Sequence, residues 1–311
     1  MFSVTGRIRD ITQPYGGYIP YASLRQTRYN DDVQLHSDEY MPSGLVGTAV
    51  DHLSRYINGV PRERAFEIPL IGAECINEGN LAQKLLTAIN GLDDDSVYAA
   101  CQLVAYAVYA RMCYFDTSGK LGFLALRQIG RPKPLIHDGN TIFNIKTMVN
   151  RVSTFLDSFS PIVLDGFTFE GGYTDIISSG DGDILTSDTL WDIKTTKRHP
   201  NSKHTLQLLI YYIMGCHSIY PEFQQIKRLG IFNPRLNTAF TIAVEDISSK
   251  VIETVSTEVI GYPPEIPSSI YKREDEQELL NKLSLPTSSR TLTPQFHFGE
   301  IKDKEIYKRK R

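Results

Sequence analysis

The chain has 311 residues, with 33 Lys+Arg against 36 Asp+Glu for a formal net charge of −3, and is 41% hydrophobic and 22% charged. These proportions fit one elaborated globular domain or two small ones and exclude global disorder and fibrous repeats. They also exclude a protein that coats nucleic acid through bulk positive charge, so any such contact must be a local patch.

The opening MFSVTGRIRD carries Arg7, Arg9 and Asp10 where a signal peptide needs an unbroken apolar core. The longest apolar helical run, Val97 to Ala110, stops at Arg111, short of the ~20 residues of a bilayer span. Cys75, Cys101, Cys113 and Cys216 lie far apart with no Cys-x-x-Cys pair, which is neither a disulfide framework nor a zinc knuckle. A cytoplasmic protein with no membrane contact is expected.

Residues 1–40, rich in Tyr, Gly and Asp, show no period and read as irregular. Helix is predicted from Ser43 to about Asn58, with Val46, Ala49, Val50, Leu53 and Ile57 on one stripe and Gly59 closing it. A second helix fits Leu81–Asn90. A third starts at the acidic run Asp93–Asp95 and continues through VYAACQLVAYAVYARM as a buried core helix. A fourth fits Thr141–Leu156. After Pro161 the pattern changes to IVLDGFTF, YTDIISS, GDGDILT and TLWDIKTT, short strands rich in β-branched residues. Helix returns over Lys203–Ile219, strands follow in RLGIFNP and TAFTIAV, and EDISSKVIETVSTEVI is helical. Pro263, Pro264 and Pro267 break the chain before the basic tail KDKEIYKRKR.

The segment from Gly180 to Tyr211 carries the chemistry. If GDGDILT and TLWDIKT form a hairpin centred between Ser187 and Asp188, Leu185 faces Leu190 and Asp183 falls opposite Asp192. Side chains alternate along a strand, so Asp192 and Lys194 share one face. Two- or four-residue loops keep this register, whereas a three-residue loop would put the two acids on opposite faces. Like charges that close need neutralising. Mg²⁺ suits carboxylate oxygens and water, with Mn²⁺ as substitute, and a lysine can stabilise a transition-state charge beside it. Paired carboxylates, a lysine and a divalent metal are a kit for hydrolysing phosphodiesters. Asp181 sits at the edge of this cluster and Glu170 upstream of it.

Asp183–x8–Asp192–x–Lys194, followed by a helix bearing Gln207 and Tyr211, resembles the PD-(D/E)XK nuclease superfamily, most closely its RecB-like branch with a Gln-x-x-x-Tyr motif. The resemblance implies an α/β fold whose core is a mixed central sheet flanked by helices, here with a helical N-terminal extension. It covers about residues 140–245 and suggests three regions: mainly helical 1–139, a nuclease core 140–262, and a Pro-containing segment 263–311. It assigns Asp183 and Asp192 to the metal, Lys194 to the nucleophile, and Gln207 and Tyr211 to the site and to DNA. RecB-like relatives also carry a Gly-x-x-x-His on an earlier helix. Here Gly47 is followed at that spacing by Asp51, with His52 one position late, so either is a candidate ligand. Lys197, Arg198 and Lys203, with His199 and His204, form a basic stretch suited to phosphates.

The expected activity is therefore metal-dependent hydrolysis of DNA, endo- or exonucleolytic. Alternatives are an RNA-directed nuclease, or a nuclease-fold DNA-binding subunit whose cleavage is weak or depends on a partner. By analogy, that partner is a helicase or a defence-system subunit.

Overall fold

Eight strands form among the described residues, most of them rich in β-branched and aromatic residues. They are β1 (Phe2–Ser3), β2 (Arg25–Arg28), β3 (Ile162–Phe167), β4 (Ile177–Ser179), β5 (Gly182–Thr186), β6 (Thr189–Ile193), β7 (Arg228–Asn233) and β8 (Thr238–Ala243). The computed structural model describes residues 1–115, 132, 135–159 and 162–264. The tail KDKEIYKRKR and all but the first two residues of segment 263–311 lie outside the described residues. Helices are α1 (Val4–Asp10), α2 (Ser43–Ile57), α3 (Arg62–Ala65), α4 (Glu67–Cys75), α5 (Gly79–Ala88), α6 (Asp94–Val104), α7 (Ala107–Phe115), α8 (Gly139–Asp157), α9 (Ser202–Cys216) and α10 (Ser249–Thr254).

Six strands form one mixed sheet in the order β2-β8-β7-β6-β5-β3, with β6 and β7 parallel and the other neighbours antiparallel. The molecule is thus α/β, a mixed sheet flanked by helices. The central strands β8, β7, β6 and β5 lie between edge strands β2 and β3, β4 pairs with β1 in a separate small sheet, and no helix among the described residues is long and apolar enough to cross a membrane.

Strand alternation sends each strand's apolar residues into two cores. Ile184, Trp191, Phe232 and Ala239 face α2, α6 and α8, where they meet Val50, Leu53, Cys101, Val149 and Phe155. Phe155 stacks on Phe232 with centroids 3.9 Å apart and meets Trp191 edge-on at 4.8 Å. Leu185, Leu190, Leu229, Ile231 and Phe240 face the other way, against Leu206, Leu209, Ile210 and Ile213 of α9. Trp191 lies over Gly230, its partner on β7, where an added Cβ would come within 2.2 Å of the indole.

Two elements depart from the sequence reading. The third helix is interrupted at Ala105–Tyr106, dividing it into α6 and α7. The break lies where α4 comes so close that a Cβ on Gly72 would sit 2.0 Å from the Tyr106 carbonyl oxygen. The N-terminal 40 residues, read as irregular, supply α1 and the edge strand β2, which pairs from Arg25↔Thr241 to Arg28↔Thr238. Residues 1–264 form one compact unit, so the N-terminal region and the central strands fold together.

Candidate active site

The hairpin has the even register. Leu185 pairs with Leu190 and Ile184 with Trp191, and the Thr186 hydroxyl donates to the Thr189 carbonyl across the turn at 3.1 Å. One step further along this register brings Asp183 opposite Asp192. There the side chain replaces the ladder: the Ile193 N–H donates to Asp183 Oδ2 at 2.7 Å. Asp192 is 1% exposed. Its Oδ1 accepts from Lys194 Nζ at 2.8 Å, while its Oδ2 is buried and accepts no hydrogen bond. A buried carboxylate oxygen without a donor is costly and fits a cation as its partner.

Electrostatics agree with that geometry. Burial, then the Asp192 and Asp51 carboxylates, push the Asp183 carboxyl well above its ordinary range. Burial works against the Lys194 ammonium, but Asp192, Asp183 and Asp51 outweigh it and raise its pKa. Burial also raises the Tyr211 phenol, helped by Asp192, Asp183 and Asp181. The site is a buried acidic cluster with the Lys194 ammonium inside it.

Helix α9 covers it. Asn201 caps the helix by accepting the N–H groups of Lys203 and His204, and His204 Nδ1 accepts the Asn201 N–H in return at 3.3 Å. Gln207 and Tyr211, one turn apart, are joined by Gln207 Nε2 donating to the Tyr211 hydroxyl at 2.8 Å. Tyr211 is buried against Phe169, with centroids 4.9 Å apart.

Helix α2 supplies Asp51. Gly47, one turn earlier on the same face, lies where a Cβ would be 2.9 Å from Thr195 Oγ1, so its missing side chain lets the helix approach the end of β6. Half-buried Asp51 then acts by charge on Asp183 and Lys194. His52 points elsewhere: it is buried, stacks on Phe66 with centroids 5.5 Å apart, and sets Nδ1 against the Ala65 carbonyl. Of the two candidates, the structure brings Asp51 to the acids and uses His52 in the core. Glu170 is exposed at the far end of α9, where its carbonyl accepts the Ile219 N–H. Asp181 is exposed beside the Tyr211 end of the cluster. Arg198 and Lys203 are exposed after β6, and Lys197 reaches back to the Ser37 carbonyl at 3.1 Å.

Sequence reasoning missed the clamp that fixes Lys194. The Lys194 N–H donates to the Phe232 carbonyl at 2.9 Å, Arg235 Nε to the Thr195 carbonyl at 2.8 Å, and Asn233 Nδ2 to the Thr196 carbonyl at 2.8 Å. Arg235 also pairs with Glu39 at 2.7 Å, with both side chains under a tenth exposed. Asn144 donates to the same Glu39 oxygen at 2.9 Å. Arg235→Met leaves Glu39 charged and buried, and is expected to cost about 3–5 kcal/mol in chemical denaturation. A Glu39→Leu/Arg235→Met double variant should recover much of that loss, and equal losses in both would mean the pair is not coupled.

Among the described residues no three His, Cys, Asp or Glu side chains lie close enough to hold one ion together. The carboxylates that could hold an ion here are the Asp183–Asp192 pair, with Asp51 acting by charge from farther off. That suits Mg²⁺, which usually takes one or two carboxylates and completes its octahedron with water and phosphate oxygens. Comparison of the chain with family models, curated proteins and solved structures gives no match.

Proposed function

We propose that this chain is a PD-(D/E)XK-type, RecB-like nuclease that hydrolyses phosphodiester bonds in DNA with Mg²⁺, or with Mn²⁺ as substitute. One observation carries the reading: Asp183 and Asp192 converge on one sheet face, Lys194 is bonded to Asp192, and the Gln207–Tyr211 pair closes over them. With β4 set apart in a small sheet with β1, the sheet strands and helices run α8-β3-β5-β6-α9-β7, with β6 parallel to β7, which supports the reading because the resemblance implies a core order of helix, three strands, helix, strand.

Asp183 and Asp192 hold the cation, with the unpartnered Asp192 Oδ2 as the readiest donor. When bound, the ion neutralises the acids and withdraws charge from the scissile phosphate. Lys194, held protonated by the carboxylates around it, orients the attacking water and stabilises negative charge developing on phosphorus oxygens. Its short bond to Asp192 places the ammonium beside the reacting group before substrate arrives, so no reorganisation is needed. Tyr211, its phenol raised, stays a neutral hydrogen-bond donor, and Gln207 fixes its hydroxyl.

The test is incubation with linear and circular DNA and with RNA, in Mg²⁺, Mn²⁺ or EDTA. DNA cleavage that needs the metal is expected, and the circular substrate separates endo- from exonuclease action. Cleavage of RNA alone would move the substrate assignment. Metal-independent DNA binding without cleavage in any condition would replace the enzyme with a binding subunit.

A further inference from the structure

His204 falls outside the Gln-x-x-x-Tyr pattern, yet it lies on the same stripe of α9. Residues 204, 207 and 211 are spaced i, i+3 and i+7, and at 100° per residue positions 204 and 211 differ by only about 20° around the axis. The stripe runs along the hairpin. Tyr211 at one end feels Asp192, Asp183 and Asp181, and His204 at the other feels Lys194 and Asp192.

The capping box determines which ring nitrogen carries the proton. A backbone N–H can only donate, so the Asn201 N–H donating to His204 Nδ1 at 3.3 Å makes Nδ1 the acceptor. The neutral ring then carries its proton on Nε2. Burial, then the Lys194 ammonium, lower the imidazole's pKa, which keeps this form at neutral pH. The ring is half-buried, fixed by its own helix cap, and interacts by charge with Lys194 and Asp192.

We propose that His204 is a substrate-contacting residue whose Nε2–H donates to a non-bridging oxygen of the phosphate chain next to Lys194. The assignment rests on the nuclease reading above. A donor there adds to Lys194 without adding a charge that would compete for the acids. It also binds the phosphate on the side where the exposed Arg198 and Lys203 continue the basic surface.

Helix capping and substrate contact can be separated by chemistry. Gln or Glu at this position of a helix preserves a capping box, because either side chain can accept the cap residue's N–H. His204→Gln therefore keeps the helix start and exchanges the imidazole N–H for an amide N–H₂ that can still donate, whereas His204→Glu keeps the helix start, has no donor and sets a carboxylate against the phosphate. His204→Glu should melt close to wild type yet cleave DNA more than about 10–100-fold more slowly in single turnover, the loss typical of a hydrogen bond to a charged group, and should bind uncleaved DNA in Ca²⁺ more weakly than wild type. His204→Gln should fall between wild type and His204→Glu. If His204→Gln and His204→Glu cleave at the wild-type rate while His204→Ala merely melts lower, the residue is a cap alone and the proposal is overturned. Failure of the wild-type protein to cleave overturns this proposal together with the nuclease reading. Normal wild-type cleavage with an indifferent His204→Glu overturns this one only.

Discussion

Lys194→Ala is expected to lower single-turnover cleavage of saturating DNA about 10²–10³-fold, the usual cost of removing one positioned electrostatic group from a reacting centre. Lys197→Ala should leave that rate close to wild type and chiefly weaken DNA binding. A model in which the two lysines are parts of one charge patch predicts similar losses. The structure separates them. Lys194 Nζ is 2.8 Å from buried Asp192, whereas the Lys197 side chain is 60% exposed, donates to the Ser37 carbonyl and lies 3.9 Å from Glu39. Under the proposed role of Lys194 in the transition state, its loss should appear in rate and hardly in affinity. Equal rate losses in the two variants, measured at saturating DNA, would sink the assignment.

Asp183→Asn should have two opposite effects. Metal affinity should fall by more than about 10-fold, the smaller end of what losing even an outer partner of a ligand costs. Stability without metal should rise at neutral pH. The sign follows from linkage. The Asp183 carboxyl titrates well above its ordinary value in the folded protein, first through burial and then through Asp192 and Asp51. Between the unfolded-state value near 3.9 and that raised value, the folded chain keeps a proton that the unfolded chain releases. Stability conferred by this group is thus complete at low pH and declines as pH rises through that window. Asn cannot ionise, and its oxygen can still accept the Ile193 N–H that Asp183 accepts at 2.7 Å. Thermal melts in EDTA should show the variant above wild type at pH 7 and level with it below about pH 4. Calorimetric titration with Mn²⁺ measures the affinity loss. An unchanged Mn²⁺ affinity, or a variant that melts lower in EDTA at pH 7, would contradict the site.

How much of this was legible in the sequence depended on whether the signal was local. The stripe from Val46 to Leu53 predicted α2, and the even spacing about Ser187 and Asp188 predicted the pairing of Leu185 with Leu190. Gln207 and Tyr211 were legible because i, i+4 residues meet on any helix. Strand β2 was not, since Arg-Gln-Thr-Arg has no apolar alternation and becomes a strand only by pairing with β8. The third helix read as continuous because nothing in its own residues announces the close approach of Gly72 to Tyr106. His204 had a visible signal, its seven-residue spacing from Tyr211 behind a capping Asn201, but its place in a basic run concealed it. The Glu39–Arg235 pair spans 196 positions, and no periodicity reaches across that distance.

The same pair bears on the order in which the protein is built. Loop-closure entropy must be met before a long-range contact can stabilise anything, so folds rich in such contacts form slowly. Synthesis proceeds from the N-terminus, and Glu39 waits for Arg235 while every acid of the cluster has already been made. A nascent chain that ends short of residue 235 holds Asp51, Asp183, Asp192 and Lys194 but lacks the guanidinium that anchors the Thr195 carbonyl. The hairpin's own bonds hold the acids first, and the anchor on the Thr195 carbonyl is added only once the β7–β8 turn has been made.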